Sequence, residues 1–221
     1  MTSEEILKAL YDETLVGNAP RVLELTNEGI AQGMTPDSIL FEALIPSLEE
    51  VGARFERGDF FVPEMLIAGR AMAGALNVLR PLLADTGAET VGTFLMGTVK
   101  GDVHDIGKNL VNIMLEGAGF QVIDLGVQVP PEKFVAAVQE HKPDIVGMSA
   151  FLTTTMPMFK VNIHELSKAG LRDNVIVMVG GAPVTQEYAD AVGADGYAAD
   201  ASTAVRKAKE LINAKRELAK A

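Results

Sequence analysis

The chain has no cysteine. That absence rules out disulfide staples, thiolate zinc sites and cysteine nucleophiles, and it leaves histidine nitrogen and oxygen donors as the means of holding a metal. Cationic side chains are also scarce: 19 Lys and Arg stand against 30 Asp and Glu, for a formal net charge of −11. So acidic a chain is repelled by phosphate backbones and anionic headgroups, so neither nucleic acid nor a membrane is an expected partner, and small molecules or other proteins are. No stretch stays apolar for the roughly 18 residues that a bilayer-spanning helix needs. The opening residues MTSEEILKALYDE are acidic and amphipathic, without the basic flank and apolar run of a signal peptide, which predicts a cytoplasmic protein. There is no short-period repeat and no low-complexity tract.

What is present is enough apolar material for a core: 48% of 221 residues are hydrophobic, a size at the border between one domain and two. From residue 1 to about 84 every signal is helical. Thr2 with Glu5 forms a capping-box pattern, followed by Ile6, Leu7, Leu10, Tyr11 and Leu15 along one face. Pro20 suits the first turn of a second helix that ends before Gly33, and Thr35-Pro36 starts a third carrying Ile39, Leu40, Ala43, Leu44, Leu48 and Val51, with a bend expected at Pro46. A fourth is expected from Pro63 to about Leu83. Four such helices with short connections predict a small bundle. The segment ADTGAE, residues 84–89, is small, polar and aperiodic and reads as a linker, so the domain boundary is placed at 86/87.

After it, short apolar runs alternate with amphipathic stretches. VGTFLMGTV, QVIDLG, DIVGMSA, NVIVMVGG and DGYAA are each followed by a helical pattern, and five βα units in a row predict a doubly wound parallel sheet. In such a sheet ligands bind beyond the carboxyl ends of the strands where the strand order reverses, which for a five-stranded flavodoxin-like order lies between the first and third strands. The two loops to read are therefore GTVKGDVHDIGKN and SAFLTTTM. One carries Asp102, His104, Asp105 and Gly107; the other carries Ser149, Thr153, Thr154 and Thr155. An imidazole ligates a metal through one nitrogen while the other donates to a carboxylate, and Asp102 is close enough in sequence for that role, with a hydroxyl from the second loop behind it. A loop His beside an Asp is equally what an ordinary surface pair looks like. A phosphorylation receiver is excluded because Ser149 stands where its third-strand Asp belongs, and VKGDVHDIG fits neither a Walker loop nor a dinucleotide fingerprint. His141 and His164 fall in predicted helices without matching ligands, against a three-His zinc site.

These residues resemble a known family, the cobalamin-binding region of methionine synthase and the corrinoid proteins of methanol, methylamine and methoxyaromatic methyltransferase systems. The DxHxxG motif stands as Asp102, Val103, His104, Asp105, Ile106 and Gly107; a Ser-x-x-Leu segment follows as SAFL, ending at Leu152; and Gly180-Gly181 closes the fourth strand. GDFFVPEMLIAGRAM at 58–72 is similar to the family's helical cap, so the likeness covers nearly the whole chain. The resemblance implies residues 1–86 as a four-helix cobalamin cap and 87–221 as a flavodoxin-like, Rossmann-type cobalamin-binding domain with a five-stranded parallel doubly wound sheet. It implies His104 as the lower axial ligand of cobalt in cobalamin or a related corrinoid, with Asp102 and Thr155 as the relay behind it; methionine synthase has Ser at the position of Thr155, and the hydroxyl is kept. It further implies that Ser149 and Thr153 contact the cofactor's nucleotide tail, that Gly107, Gly180 and Gly181 admit its close approach, and that Tyr197 closes over its far end. Phe61, Val62, Met65 and Leu66 would cover the upper face of the ring, a role that competes with ordinary bundle packing.

The implied activity is that of a methyl carrier rather than a stand-alone catalyst, working between a donor-specific methyltransferase and a second methyltransferase, with a reductive activation protein as a further partner. For that exchange the cap must move aside, and the linker at 84–89 is where a hinge is expected. Two other classes share the motif. A cobalamin-dependent sensor normally carries a basic helix-turn-helix module, and the small subunit of a cobalamin-dependent mutase generally lacks the helical cap.

Overall fold

The computed structural model describes residues 1–86 and 90–218. It divides into two compact units, Met1–Thr90 with Glu116–Gly119, and Val91–Leu115 with Phe120–Ala221.

The first unit is helical. α1 (Ser3–Leu15) opens on the expected capping box: the Glu5 N–H donates to Thr2 Oγ1 at 3.2 Å and the Thr2 N–H to Glu5 Oε2 at 2.7 Å. α2 (Ala19–Ala31) has Pro20 in its first turn. Thr35 caps α3 (Pro36–Ile39), accepting from the Ser38 N–H at 3.2 Å; a π-helical turn (Leu40–Leu44) follows, and α4 (Ile45–Glu56) continues the same rod. The bend expected at Pro46 takes the form of that turn. Pro46 has no N–H for the Glu42 carbonyl and its ring crowds it, and the wider turn, with the Ile45 N–H on the Leu40 carbonyl, makes room.

α5 (Val62–Thr86) runs further than the sequence suggests, through Pro81 and the first three residues of the expected linker. The rest of that linker, 87–89, lies outside the described residues. With α3, the π turn and α4 as one continuous helix, the described part of this unit is the expected four-helix arrangement. Its interior holds Ile6, Leu10, Val22, Leu25, Ile39, Leu44, Leu48, Met65, Met72 and Leu79, all fully buried. The Ser47 hydroxyl donates to the Tyr11 carbonyl at 2.9 Å and ties α4 to α1.

The second unit alternates β1 (Thr93–Thr98), α6 (Ile106–Gly117), β2 (Gln121–Asp124), α7 (Pro131–His141), β3 (Ile145–Ser149), α8 (Pro157–Lys168), β4 (Ile176–Gly180), α9 (Gln186–Val192), β5 (Gly196–Ala198) and α10 (Ala201–Leu218). The five strands form one parallel sheet in the order β2-β1-β3-β4-β5, the flavodoxin-like winding in which order reverses between β1 and β3. β1, β3 and β4 are buried nearly throughout, which is why their sequences read as continuous apolar runs rather than alternating ones. On one face Leu95, Val146, Met148, Val177 and Val179 pack with Phe134, Ala137, Phe159, Ile163, Leu166 and Ala189 from α7, α8 and α9. The register sets Thr98 beside Ser149, Ser149 beside Gly180 and Gly180 beside Ala198, so four strands end in line along the edge where a ligand would bind. No helix among the described residues is long and apolar enough to cross a membrane.

Candidate functional site

The loop after β1 is built around one carboxylate. Val99 extends β1 by pairing with Val129; the Asp102 N–H then donates back to the Val99 carbonyl at 3.1 Å, and the chain turns at Gly101, whose φ of +84° suits glycine. Asp102 is fully buried. Its Oδ1 accepts from the His104 N–H at 3.0 Å and faces His104 Nδ1 at 2.7 Å. Its Oδ2 accepts from the Phe151 N–H at 2.7 Å, the Leu152 N–H at 3.2 Å and the Thr155 hydroxyl at 2.7 Å. The expected cluster of an imidazole, a carboxylate and a hydroxyl is thus joined by hydrogen bonds.

Burial alone pushes the Asp102 carboxyl up. The N–H of His104, the Thr155 hydroxyl, the N–H of Phe151 and the His104 ring together outweigh it and hold the group well below the usual carboxylate range. An ionised carboxylate only accepts, so the proton shared with the ring belongs to Nδ1, and in the neutral imidazole Nε2 carries the lone pair. The His104 side chain is 43% exposed, while the Asp102 behind it has no exposure. The result is a ring fixed at its inner nitrogen, with the second nitrogen available as a donor.

Two contributors lie outside the sequence-derived set. Phe151 stacks on His104 with centroids 4.3 Å apart and planes 26° from parallel. Thr98, the last residue of β1, donates its hydroxyl to the His104 carbonyl at 3.0 Å. Phe151 was visible only as the third residue of SAFL, and Thr98 only as a polar residue closing an apolar strand.

The other expected site residues divide. Asp105 is exposed and accepts from Asn109 Nδ2 at 3.2 Å; Ile106 and Gly107 are exposed at the start of α6. A Cβ at Gly107 would meet no atom within 4 Å beyond its own stretch of chain, so the space beside it is open. Ser149 is half-buried at the end of β3, and Leu152 and Thr153 are exposed on the following loop. Gly181 has a φ of +130°, and a Cβ there would run into the Ala150 carbonyl oxygen, so this glycine is required by backbone approach alone; Gly180 lies beside the Ala198 carbonyl. Tyr197 is half-buried on β5 against the core of α7, α8 and α9, apart from the hydrogen-bonded cluster. In the helical unit Phe61 is 66% exposed and Met65 is fully buried.

The donor set limits what can bind at His104. Among the described residues there is no group of three or more His, Cys, Asp or Glu able to hold a bare ion. A metal bound by this one imidazole must bring most of its own ligands. Val103 and Ile106, close to His104 in the chain, Phe151, stacked on its ring, and Leu152, bonded to Asp102, are all exposed apolar residues, a surface suited to a large macrocycle rather than to a hydrated ion. A corrin fits both conditions.

Comparison with known proteins bears on the same point. A family model described as a B12 binding domain matches residues 92–206, and a second of that description matches residues 6–80. The chain belongs to the B12-binding corrinoid proteins. As a corrinoid protein it binds a corrinoid cofactor. It is similar to dimethylamine corrinoid protein 1 of Methanosarcina acetivorans, 42% identical over 213 residues that cover 96% of this chain and 100% of that one. It is also similar to the trimethylamine corrinoid protein of Methanosarcina barkeri, 44% identical over 193 residues covering 86% and 88%. Among solved structures, the methanol:cobalamin methyltransferase complex of Methanosarcina barkeri matches with a TM-score of 0.84 at 30% identity, over 95% of this chain and 80% of that one. A cobalamin-binding protein from Desulfitobacterium hafniense matches with a TM-score of 0.71 at 29% identity, over 95% and 98%.

Proposed function

We propose that this corrinoid protein carries methyl groups between two methyltransferases, with His104 as the protein ligand to cobalt. The observation that carries the reading is the imidazole held at Nδ1 by a buried carboxylate with its other nitrogen free to donate. A bound corrinoid supplies the metal centre that accepts and gives up the methyl group. The chain's own contribution is to hold the donor nitrogen in place, to set its basicity through Asp102 and Thr155, and to offer an apolar bed beside it. The open space at Gly107 allows close approach. Ser149, Thr153, Gly180, Gly181 and Tyr197 keep their proposed places near the cofactor's tail, and Phe61 is proposed to shield the ring. Residues 1–86 are proposed as the cap domain and 87–221 as the cofactor domain, in a cytoplasmic protein.

Similarity to dimethylamine and trimethylamine corrinoid proteins supports a methylated amine as the upstream donor, delivered by its own methyltransferase. A second methyltransferase and a reductive activation protein complete the proposed partners. The test is titration of the purified protein with hydroxocobalamin. Wild type is expected to bind one equivalent with a nitrogen-coordinated spectrum, and His104→Ala to bind with an altered one; identical spectra would remove His104 from the ligand role. Reconstitution with candidate methyltransferases and a panel of methylated amines then tests the donor.

A further inference from the structure

α6 places a lysine where local energetics disfavour it. Lys108 is the third residue of that helix, 2% exposed, and the first turn of a helix is its electropositive end. Burying an ammonium is costly unless it is paired and hydrogen-bonded. Lys108 Nζ meets that requirement by donating to Asp124 Oδ2 at the end of β2 and to Asn109 Oδ1 at 2.7 Å.

From Asp124, Oδ1 accepts the Gly126 N–H at 2.9 Å, the Gly126 carbonyl accepts the Thr98 N–H at 3.0 Å, and the Thr98 hydroxyl donates to the His104 carbonyl at 3.0 Å. From Asn109, Nδ2 donates to Asp105 Oδ2 at 3.2 Å and the backbone N–H to the Asp105 carbonyl at 2.7 Å. Both arms of one buried ammonium therefore arrive at consecutive residues, 104 and 105. The Asp102–Thr155 relay fixes the ring of His104; this circuit fixes its main chain from the other side. Neither shares a side chain with the other.

We propose that Lys108, with Asp124 and Asn109, is a positioning residue that sets where the His104 imidazole sits and so how completely it coordinates cobalt. This rests on the reading of His104 as the ligand. With the ammonium removed, Asp124 and Asn109 lose their common anchor, the His104 backbone gains freedom, and the imidazole leaves the metal more often although its relay is intact.

The experiment uses the full chain loaded with hydroxocobalamin, comparing wild type, His104→Ala, Lys108→Met and Asp124→Asn. Nitrogen coordination is read from the electron paramagnetic resonance hyperfine pattern of the reduced Co(II) form and from the midpoint potential of the next one-electron reduction. The variants Lys108→Met and Asp124→Asn are expected to take up one equivalent of cofactor, yet to shift the balance between coordinated and detached imidazole by about tenfold, with the potential moving toward that of His104→Ala. A lysine that served only to fasten β2 would lower the melting temperature and leave both signals at wild type. That outcome, with His104→Ala clearly altered, overturns the positioning role alone. If His104→Ala matches wild type, the ligand reading falls and this inference with it. Asp124 is 38% exposed, so its substitution carries the test if Lys108→Met does not fold.

Discussion

Phe151 touches the imidazole system twice: its ring stacks on His104 at 4.3 Å, and its own N–H donates to Asp102 at 2.7 Å. The backbone contact survives any substitution except proline, so Phe151→Ala isolates the stack. An aromatic pair of this kind is worth about 0.5–1.5 kcal/mol beyond its buried area. Titration of the variant with hydroxocobalamin is expected to show affinity reduced by roughly two- to tenfold. An unchanged affinity would mean that the stack plays no part in holding the ring.

Thr155 gives its hydroxyl to a carboxylate with no exposure. Thr155→Val keeps the shape and removes the donor, which is expected to lower stability by about 1–3 kcal/mol in urea unfolding of the cofactor-free protein. Thr155→Ser keeps the hydroxyl and is expected to retain most of that stability. Equal losses in the two variants would assign the effect to packing of the methyl group.

Acid stability follows from the depressed pKa of Asp102. A carboxylate lowered by folding adds stability that is fully present above its unfolded value of about 3.9 and drains away as pH falls toward its folded value. Wild type is therefore expected to lose unfolding free energy steeply below about pH 4.5. Asp102→Asn is expected to be less stable at neutral pH and shallower over that acid window. Denaturant titrations at stepped pH give both slopes, and parallel curves would contradict the assignment.

Two glycines separate structural need from ligand need. A Cβ at Gly181 collides with the Ala150 carbonyl at a φ of +130°, so Gly181→Ala is expected to destabilise the cofactor-free protein. A Cβ at Gly107 meets nothing within 4 Å, and in a helix alanine is favoured over glycine by up to about 1 kcal/mol, so Gly107→Ala is expected to be at least as stable as wild type by thermal melting. Gly107→Leu is expected to remain folded but to take up hydroxocobalamin poorly, because it fills the open space. Normal uptake by that variant would place the corrin elsewhere.

The sheet was legible because β1, β3 and β4 are buried on both faces and so spell out apolar runs, and the reversal between β1 and β3 then pointed to two loops. Asp102 and His104 were legible for a local reason: they are two residues apart, and the bond between them forms within one turn. The Lys108–Asp124 pair was not, since its members lie 16 positions apart and meet only when β1 and β2 pair. Met65 sat in a motif whose face could not be assigned until the helices closed around it. At residues 84–86 the small, polar composition suggests a break, yet α5 continues past Pro81 to Thr86.

The donors gathered by Asp102 have a consequence for biosynthesis. The Phe151 and Leu152 amides and the Thr155 hydroxyl come from 49, 50 and 53 positions downstream. A nascent chain that has released only its first two strands can form the local Asp102–His104 bond but lacks all three of these donors to Asp102 Oδ2. On the proposed ligand role of His104, cofactor loading is expected only in a polypeptide whose third strand has already docked.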